Sequence, residues 1–243
     1  MDFLEFKNKF IEALDENGVA LEVIEQGVEK LYNLTRIMLD VNKYMNLTAI
    51  TDEDAIIYKH YVDSLMVSKY IPLGATVIDV GCGAGFPCLP LAIFREDLKI
   101  TALDSTVKRI RYIEDTANKL NIVNIVPIAA RAEELAKQNG YRESFDVATA
   151  RAVAALPVLS ELCLPFVKVG GEFISMKAAQ GVQESIDAKN AIRLCGGVIK
   201  TVDRLTLRCQ QTAEDRTIIS ISKAFSTPSK YPRHYSQITK KPL

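Results

Sequence analysis

The chain has 243 residues, 48% of them apolar and 25% charged, and its 30 Lys+Arg balance 30 Asp+Glu. This composition excludes a mini-protein, a collagen-like chain and a wholly disordered one, and at this length a chain buries roughly 70% of its extended-chain surface, enough for one α/β core with an extension. The neutral total is a sum of opposites: residues 1 to 63 carry 6 basic and 13 acidic side chains, residues 200 to 243 carry 9 and 3. A polyanion therefore has a local foothold near the C-terminus, with a shallower salt dependence than on a uniformly basic protein.

Apolar residues in the first forty positions recur at helical spacing, as in Phe3, Phe6, Phe10 and Leu14, then Leu21, Ile24, Val28, Leu31, Leu34 and Met38. A further helix is predicted over Ile56 to Tyr70 behind the acidic start Asp52-Glu-Asp, and the Pro72-Leu-Gly74 turn closes a helical extension at residues 1 to 72. From residue 73 to 225 short β-branched runs alternate with helical segments, the pattern of a parallel sheet with crossover helices. The predicted strands are Thr76 to Val80, Ile100 to Leu103, Ile125 to Ala129, Phe145 to Ala150, Glu172 to Met176, Val198 to Val202 and Thr217 to Ser222. Helices are predicted near 88 to 95, 106 to 120, 131 to 139, 155 to 168 and 180 to 194. The last two strands have no helix between them, so an antiparallel pair closes one edge. Residues 226 to 243 read as a basic tail, a loop bearing proline and lysine.

The five cysteines (Cys82, Cys88, Cys163, Cys195, Cys209) show no CxxC spacing, and only His60 and His234 are available beside them, so neither a zinc site nor a disulfide framework is expected. The N-terminus mixes acids and bases where a signal peptide needs an apolar run, and no stretch approaches a membrane span; a cytoplasmic protein is expected. Cys88 reads as a small buried helix residue, and His60 as a packed, hydrogen-bonded core histidine.

In open α/β sheets a ligand lies beyond the carboxyl ends of the strands. There the chain places Asp79-Val-Gly81-Cys-Gly83-Ala-Gly85-Phe86-Pro87, then Asp104-Ser105, Arg131-Ala132-Glu133, Arg151 and Lys177. A dinucleotide fingerprint needs glycines at i, i+2 and i+5; counting from Gly81 the last position is Phe86, which disfavours an NAD-dependent oxidoreductase. Glycines at i, i+2 and i+4 with an acid two residues before them resemble the first motif of class I S-adenosylmethionine-dependent methyltransferases. The two oxygens of Asp104 can accept from both hydroxyls of a ribose, which suits NAD equally, and Asp104 can also cap the next helix. No Asn- or Asp-Pro-Pro-Tyr segment follows the fourth strand, and Pro87-Cys88 follows the glycine loop instead, so neither amino-group nor cytosine-C5 methylation is indicated.

Asn46-Leu-Thr48, His60-x-x-Asp63-Ser-Leu65, Asp79-Val-Gly-x-Gly-Ala-Gly-Phe-Pro87, Leu103-Asp-Ser105 with Lys108-Arg109, Arg151-Ala-Val153 and Tyr231-Pro-Arg233 together resemble the bacterial ribosomal RNA small subunit methyltransferase G family, also called the glucose-inhibited division protein B family. The resemblance covers the chain from about residue 40 onward. It implies a Rossmann-like seven-stranded fold and S-adenosyl-L-methionine-dependent methylation of guanosine N7 in 16S rRNA of the small ribosomal subunit, with no membrane and no obligate protein partner. Its cofactor contacts fall on Gly81, Phe86, Asp104, Ser105, Ala132, Glu133 and Arg151, with Gly83 and Gly85 completing the glycine loop. Cys82 and Cys88 stand where small residues such as Ser, Thr or Gly are usual, and the tail departs from the family pattern after Arg233. No acid–base pair stands out as catalytic, in keeping with an N7 lone pair that needs no proton removed. Arg151 and Lys177 are positioning candidates for the cofactor carboxylate or the RNA backbone, and either can instead close an ion pair. Candidate RNA contacts are Lys108, Arg109, Arg111 and Lys177, with Lys230, Arg233, His234, Lys240 and Lys241 in the tail. A non-catalytic RNA-binding protein on the same scaffold is the remaining alternative. An A-form duplex hides the guanine N7 edge in its deep groove, so the target is expected in a loop or flipped out.

Overall fold

In the computed structural model, which describes all 243 residues from Met1 to Leu243, the β-branched runs become seven strands of one sheet. They are β1 (Thr76–Val80), β2 (Lys99–Asp104), β3 (Ile125–Ala129), β4 (Phe145–Arg151), β5 (Val167–Lys177), β6 (Gly197–Cys209) and β7 (Thr212–Lys223), in the order β3-β2-β1-β4-β5-β7-β6. The first five pair in parallel, while β7 runs antiparallel to both β5 and β6. This is the seven-stranded class I methyltransferase sheet. From β1 the chain winds outward through β2 and β3, then returns to β4 on β1's other side, so a crevice opens beyond the carboxyl ends of β1 and β4.

Helices cover both faces. Before the sheet come α1 (Phe3–Glu16), α2 (Glu25–Met45), α3 (Glu53–Ile56) and, beyond a wide π-turn at Ile57–Val62, α4 (Asp63–Leu65). The crossovers are α5 (Cys88–Phe94), α6 (Val107–Lys119), α7 (Ala132–Leu135), α8 (Leu156–Cys163), α9 (Gly181–Asp187) and α10 (Lys189–Leu194); α11 (Tyr235–Lys240) ends the chain. Strand side chains alternate between the two faces. Val77 joins a core with Phe6, Phe10, Leu31, Tyr61 and Ile113, whereas Ile78 and Val80 join one with Leu159, Ile192 and Ile238.

Several elements depart from the sequence reading. The helix expected from Ile56 begins at Glu53, because Asp52 caps it by accepting from the Ala55 N–H at 2.8 Å, and it ends at Leu65 with only a 3-10 turn at Ser68–Tyr70. The segment expected at 131 to 139 is a single turn, and the one at 180 to 194 breaks at Ala188 into α9 and α10. The β6–β7 hairpin is more than twice its expected length. Its outer arm docks on the N-terminal helices through fully buried Leu207, while Asn17 exchanges hydrogen bonds with the Arg208 backbone at 2.7 and 3.0 Å.

The tail is irregular up to His234, as expected, but it is packed against the sheet domain and ends in a helix. Tyr231 and Ile238 are buried in the second core and α11 packs on α8. The Arg233 guanidinium is clasped by Glu161, which has no exposure, at 2.6 and 2.9 Å, and Arg142 donates to the carbonyls of Thr227 and Tyr231. No helix of the chain is long and apolar enough to cross a membrane.

Candidate functional site

Beyond β1 the chain turns into α5 through three glycines with positive φ, Gly81 (75°), Gly83 (58°) and Gly85 (92°). A Cβ on Gly81 would lie 2.6 Å from Val153 Cγ2, so that position must be bare for the β4 loop to close over it; at Gly83 nothing lies nearer than 3.9 Å and the backbone faces open space. The loop is pinned by Gly81 and Cys82 N–H groups donating to the Leu103 carbonyl at 2.7 and 3.0 Å, and by Gly83 N–H donating to Asp104 Oδ2 at 3.1 Å. A cleft of about 430 Å³ results, within the range of small-molecule sites. Gly81, Gly83, Phe86, Asp104, Ser105, Ala132, Glu133 and Arg151 all line it. Gly85 does not: a Cβ there would strike Leu89 Cδ1 at 2.3 Å, so this glycine serves the packing of α5 beneath the loop.

Asp104 ends β2 with its carboxylate in the cleft. Oδ1 accepts from Thr106 N–H at 2.7 Å, and Arg109 Nη1 lies 3.6 Å from Oδ2. A carboxylate offers about four acceptor sites, so lone pairs remain for a diol at the cleft wall. Buried Glu133 and Ala132 stand beside it on α7, with Arg131 and Tyr235, whose guanidinium and ring centroid lie 5.8 Å apart. The residues therefore fit S-adenosyl-L-methionine: a glycine cradle open at Gly83, a diol acceptor at Asp104 and an enclosed end near Glu133.

Beneath the loop Asp79 is buried. Oδ1 accepts from Thr149 Oγ1 at 3.0 Å and Oδ2 has no partner; burial pushes its pKa up to about 6, against the pull of Thr149, Cys88 and Arg151. The Cys88 thiol is fully buried and pushed well above its usual range by desolvation, so it behaves as a small packed residue and not a nucleophile.

At the other end of the cleft, Arg151 Nη1 donates to Asp63 Oδ2 at 2.8 Å and to the Lys59 carbonyl at 3.1 Å, and its guanidinium lies 5.3 Å from the Phe86 ring centroid. His60 lies within the π-turn, and Asp63 ends it with its N–H donating to the Tyr58 and His60 carbonyls. Asp63 also accepts from Arg216 Nε at 2.7 Å, tying the hairpin to the same point. His60 stacks on Phe86 (centroids 4.3 Å apart, planes at 9°) and shares a hydrogen bond with Thr48 Oγ1 at 2.9 Å. It is packed as expected, and it also faces the cleft. Burial, then the Arg151 charge, lowers its pKa to about 4, so at neutral pH it is an uncharged wall.

A second cleft, about 790 Å³, opens on the far side of His60, Arg151, Ala152 and Val153, which line both. Ala152 holds φ +55°, a strained conformation for a residue with a Cβ, at the wall between them. Lys177 lies in this second cleft with its ammonium on the Ala154 carbonyl and on Glu184 Oε2 at 2.7 Å.

Among the candidate RNA contacts, Lys108 and Arg111 are exposed on α6, as are Lys230, His234, Lys240 and Lys241 near the C-terminus. Arg109 is half-buried at the donor-cleft rim. His234 caps α11, its Nδ1 lying 2.8 Å from Ser236 Oγ, and Arg233 is committed to Glu161.

A family model described as rRNA small subunit methyltransferase G matches residues 27–213. The chain is 41% identical over 229 residues to the ribosomal RNA small subunit methyltransferase G of Clostridium perfringens (strain 13 / Type A), covering 93% of this chain and 95% of the relative. To the protein of the same name in Clostridium beijerinckii it is 40% identical over 239 residues, covering 97% and 99%. The chain belongs to this family. Among solved structures, a SAM dependent methyltransferase from Aquifex aeolicus superimposes with a TM-score of 0.53 at 16% identity, over 70% of this chain and 93% of that one, a likeness of fold.

Sequence reasoning placed Arg131 at a strand end without giving it a role, overlooked Tyr235 and Glu184, and named Asp63 only as part of a motif. Asp63 carried a usable signal, since an acid three residues after His60 on one helix shares its face. Tyr235 and Glu184 carried none, because their cleft positions depend on how the tail and α9 pack.

Proposed function

We propose that the protein transfers a methyl group from S-adenosyl-L-methionine to the N7 atom of a guanosine in 16S rRNA. The observation that carries this reading is the pair of clefts meeting at Arg151, Ala152 and Val153 beyond β1 and β4: one glycine-cradled with a diol acceptor, the other open and lined by Lys59, Arg151, Lys177 and Arg216 paired with Asp63, Glu184 and Glu214. When bound, the donor would supply a sulfonium methyl for the N7 lone pair, the electrons of the S–C bond staying on sulfur.

The chain's residues have only to place the partners. Asp104 and the Gly81–Gly83 backbone would hold the donor by its nucleoside, with Glu133 at its far end. Arg151, locked by Asp63 and Phe86, fixes the shared wall so that two reactants meet in line, the kind of positioning that replaces proton transfer. Neutral His60 fits this economy: no base is needed, and a second positive charge beside Arg151 would work against the sulfonium. Lys108, Arg109 and Arg111 at the rim would meet the phosphate backbone, with Lys230 and His234 from the C-terminal segment.

A substrate that is small-subunit rRNA supports a cytoplasmic enzyme acting on the small ribosomal subunit or its RNA. Incubation of purified protein with labelled donor and either small- or large-subunit RNA tests the reading. Label is expected in small-subunit RNA alone; none in either at saturating donor would leave a non-catalytic RNA-binding protein.

A further inference from the structure

The second cleft contains three carboxylates, and two are fully engaged. Both oxygens of Asp63 are taken by Arg151 and Arg216, and those of Glu214 by Lys59 at 2.6 Å and Arg216 at 2.9 Å. Glu184 differs. Its Oε2 accepts from Leu156 N–H at 2.7 Å and forms an ion pair with the Lys177 ammonium at 2.7 Å, while Oε1 makes no hydrogen bond within the protein. Lys177 in turn spends its donors on the Ala154 carbonyl and Glu184, leaving one N–H of three without a protein acceptor. The pair is built in: a Cβ on Gly181 would lie 2.8 Å from Lys177 Cβ and 2.5 Å from Thr217 Cβ, so this glycine lets α9 approach closely enough to set Glu184 against Lys177.

We infer that the Lys177–Glu184 pair reads the Watson–Crick edge of the target guanine, Lys177 donating to O6 and Glu184 Oε1 accepting from N1–H and the 2-amino group. This rests on the donor-and-acceptor reading of the two clefts. His60, Arg151 and Val153 line both clefts, whereas Lys177 and Glu184 line only the second. A guanine with N7 at the shared wall turns its N1 and 2-amino edge away from the donor, toward the side that Lys177 and Glu184 occupy. Adenine would present an amino group to the ammonium and a lone pair to the carboxylate, so the same pair rejects it.

The test uses full-length protein, S-adenosyl-L-methionine and small-subunit RNA carrying guanosine or inosine at the methylated position, with wild type and Glu184→Gln. Inosine lacks only the 2-amino group. Losing a charge-assisted contact is worth about 10- to 100-fold, so Glu184→Gln should lower kcat/KM on the guanosine RNA by that factor, with the donor Kd within about twofold of wild type. Inosine should lower wild-type kcat/KM by about tenfold and the variant's no further, because both changes remove the same contact. Undiminished turnover by Glu184→Gln, or losses that multiply, would overturn the inference. Glu184 also holds the start of α8, so a variant that does not fold leaves the decision to wild type on inosine: an unchanged rate overturns it and a tenfold loss supports it. Wild type inactive on the guanosine RNA would overturn the methyltransferase reading itself, and the inference with it.

Discussion

Replacing Asp79 by Asn should make stability respond to pH in a way that isolates one buried carboxylate. Asp79 is 1% exposed, with one hydrogen bond at 3.0 Å and an oxygen that has no partner, and its pKa rises to about 6. A carboxyl whose folded pKa exceeds its unfolded value near 3.9 favours the folded state below that unfolded value. The advantage disappears as pH rises through about 6, because the unfolded chain ionises first. Two pH units of displacement correspond to about 3 kcal/mol, the cost of holding the carboxylate ionised in the interior at neutral pH. Asn carries no charge and escapes that cost. The stability of Asp79→Asn relative to wild type should therefore improve by about 2 kcal/mol between pH 4 and pH 7.5, the unfolded carboxyl being already half ionised at pH 4, whatever the offset there. Urea unfolding of both proteins across that range measures it, since groups common to both cancel in the difference. A difference that stays flat with pH would refute the reasoning and place a charge-stabilising partner beside Asp79.

Three further outcomes follow from the geometry. Gly81→Ala puts a Cβ 2.6 Å from Val153 at a φ of 75°, and calorimetry should find donor affinity reduced by about tenfold or more; undiminished binding would mean the loop does not cradle the donor. Asp63→Asn strips Arg151 and Arg216 of their shared buried charge, a change of about 3 to 5 kcal/mol in chemical unfolding, with turnover lost beyond what donor binding loses. Ile238→Ala empties a fully buried site under α11; it should cost about 2 to 4 kcal/mol and weaken donor binding as Tyr235 leaves the cleft, whereas an indifferent protein would mean the tail is unpacked.

Local patterns carried most of the fold. The runs that became β1 and β3 match their predicted ends residue for residue, because a β-branched run between turn residues is legible from neighbours alone. The glycine loop and Asp104 were legible for the same reason. The outer arm of β6 was not: Arg204, Thr206 and Arg208 alternate with Leu205, Leu207 and Cys209, and nothing local says that helices 190 positions upstream will cover one side. The C-terminal segment misled because its lysines and prolines describe its surface, while Glu161 and the second core decide its position. Lys177 illustrates the limit within the site. Its place at a strand end was readable, but its pairing depends on Gly181 letting α9 come close.

Mapping the modified base tests the central claim most directly. Small-subunit RNA treated with the protein and S-adenosyl-L-methionine, then subjected to cleavage at 7-methylguanosine, should break at a single guanosine, and protein lacking the Asp104 carboxylate should leave the RNA intact. Methyl groups found on an exocyclic amine, on carbon or on another base would contradict an account in which the enzyme positions a lone pair and moves no proton.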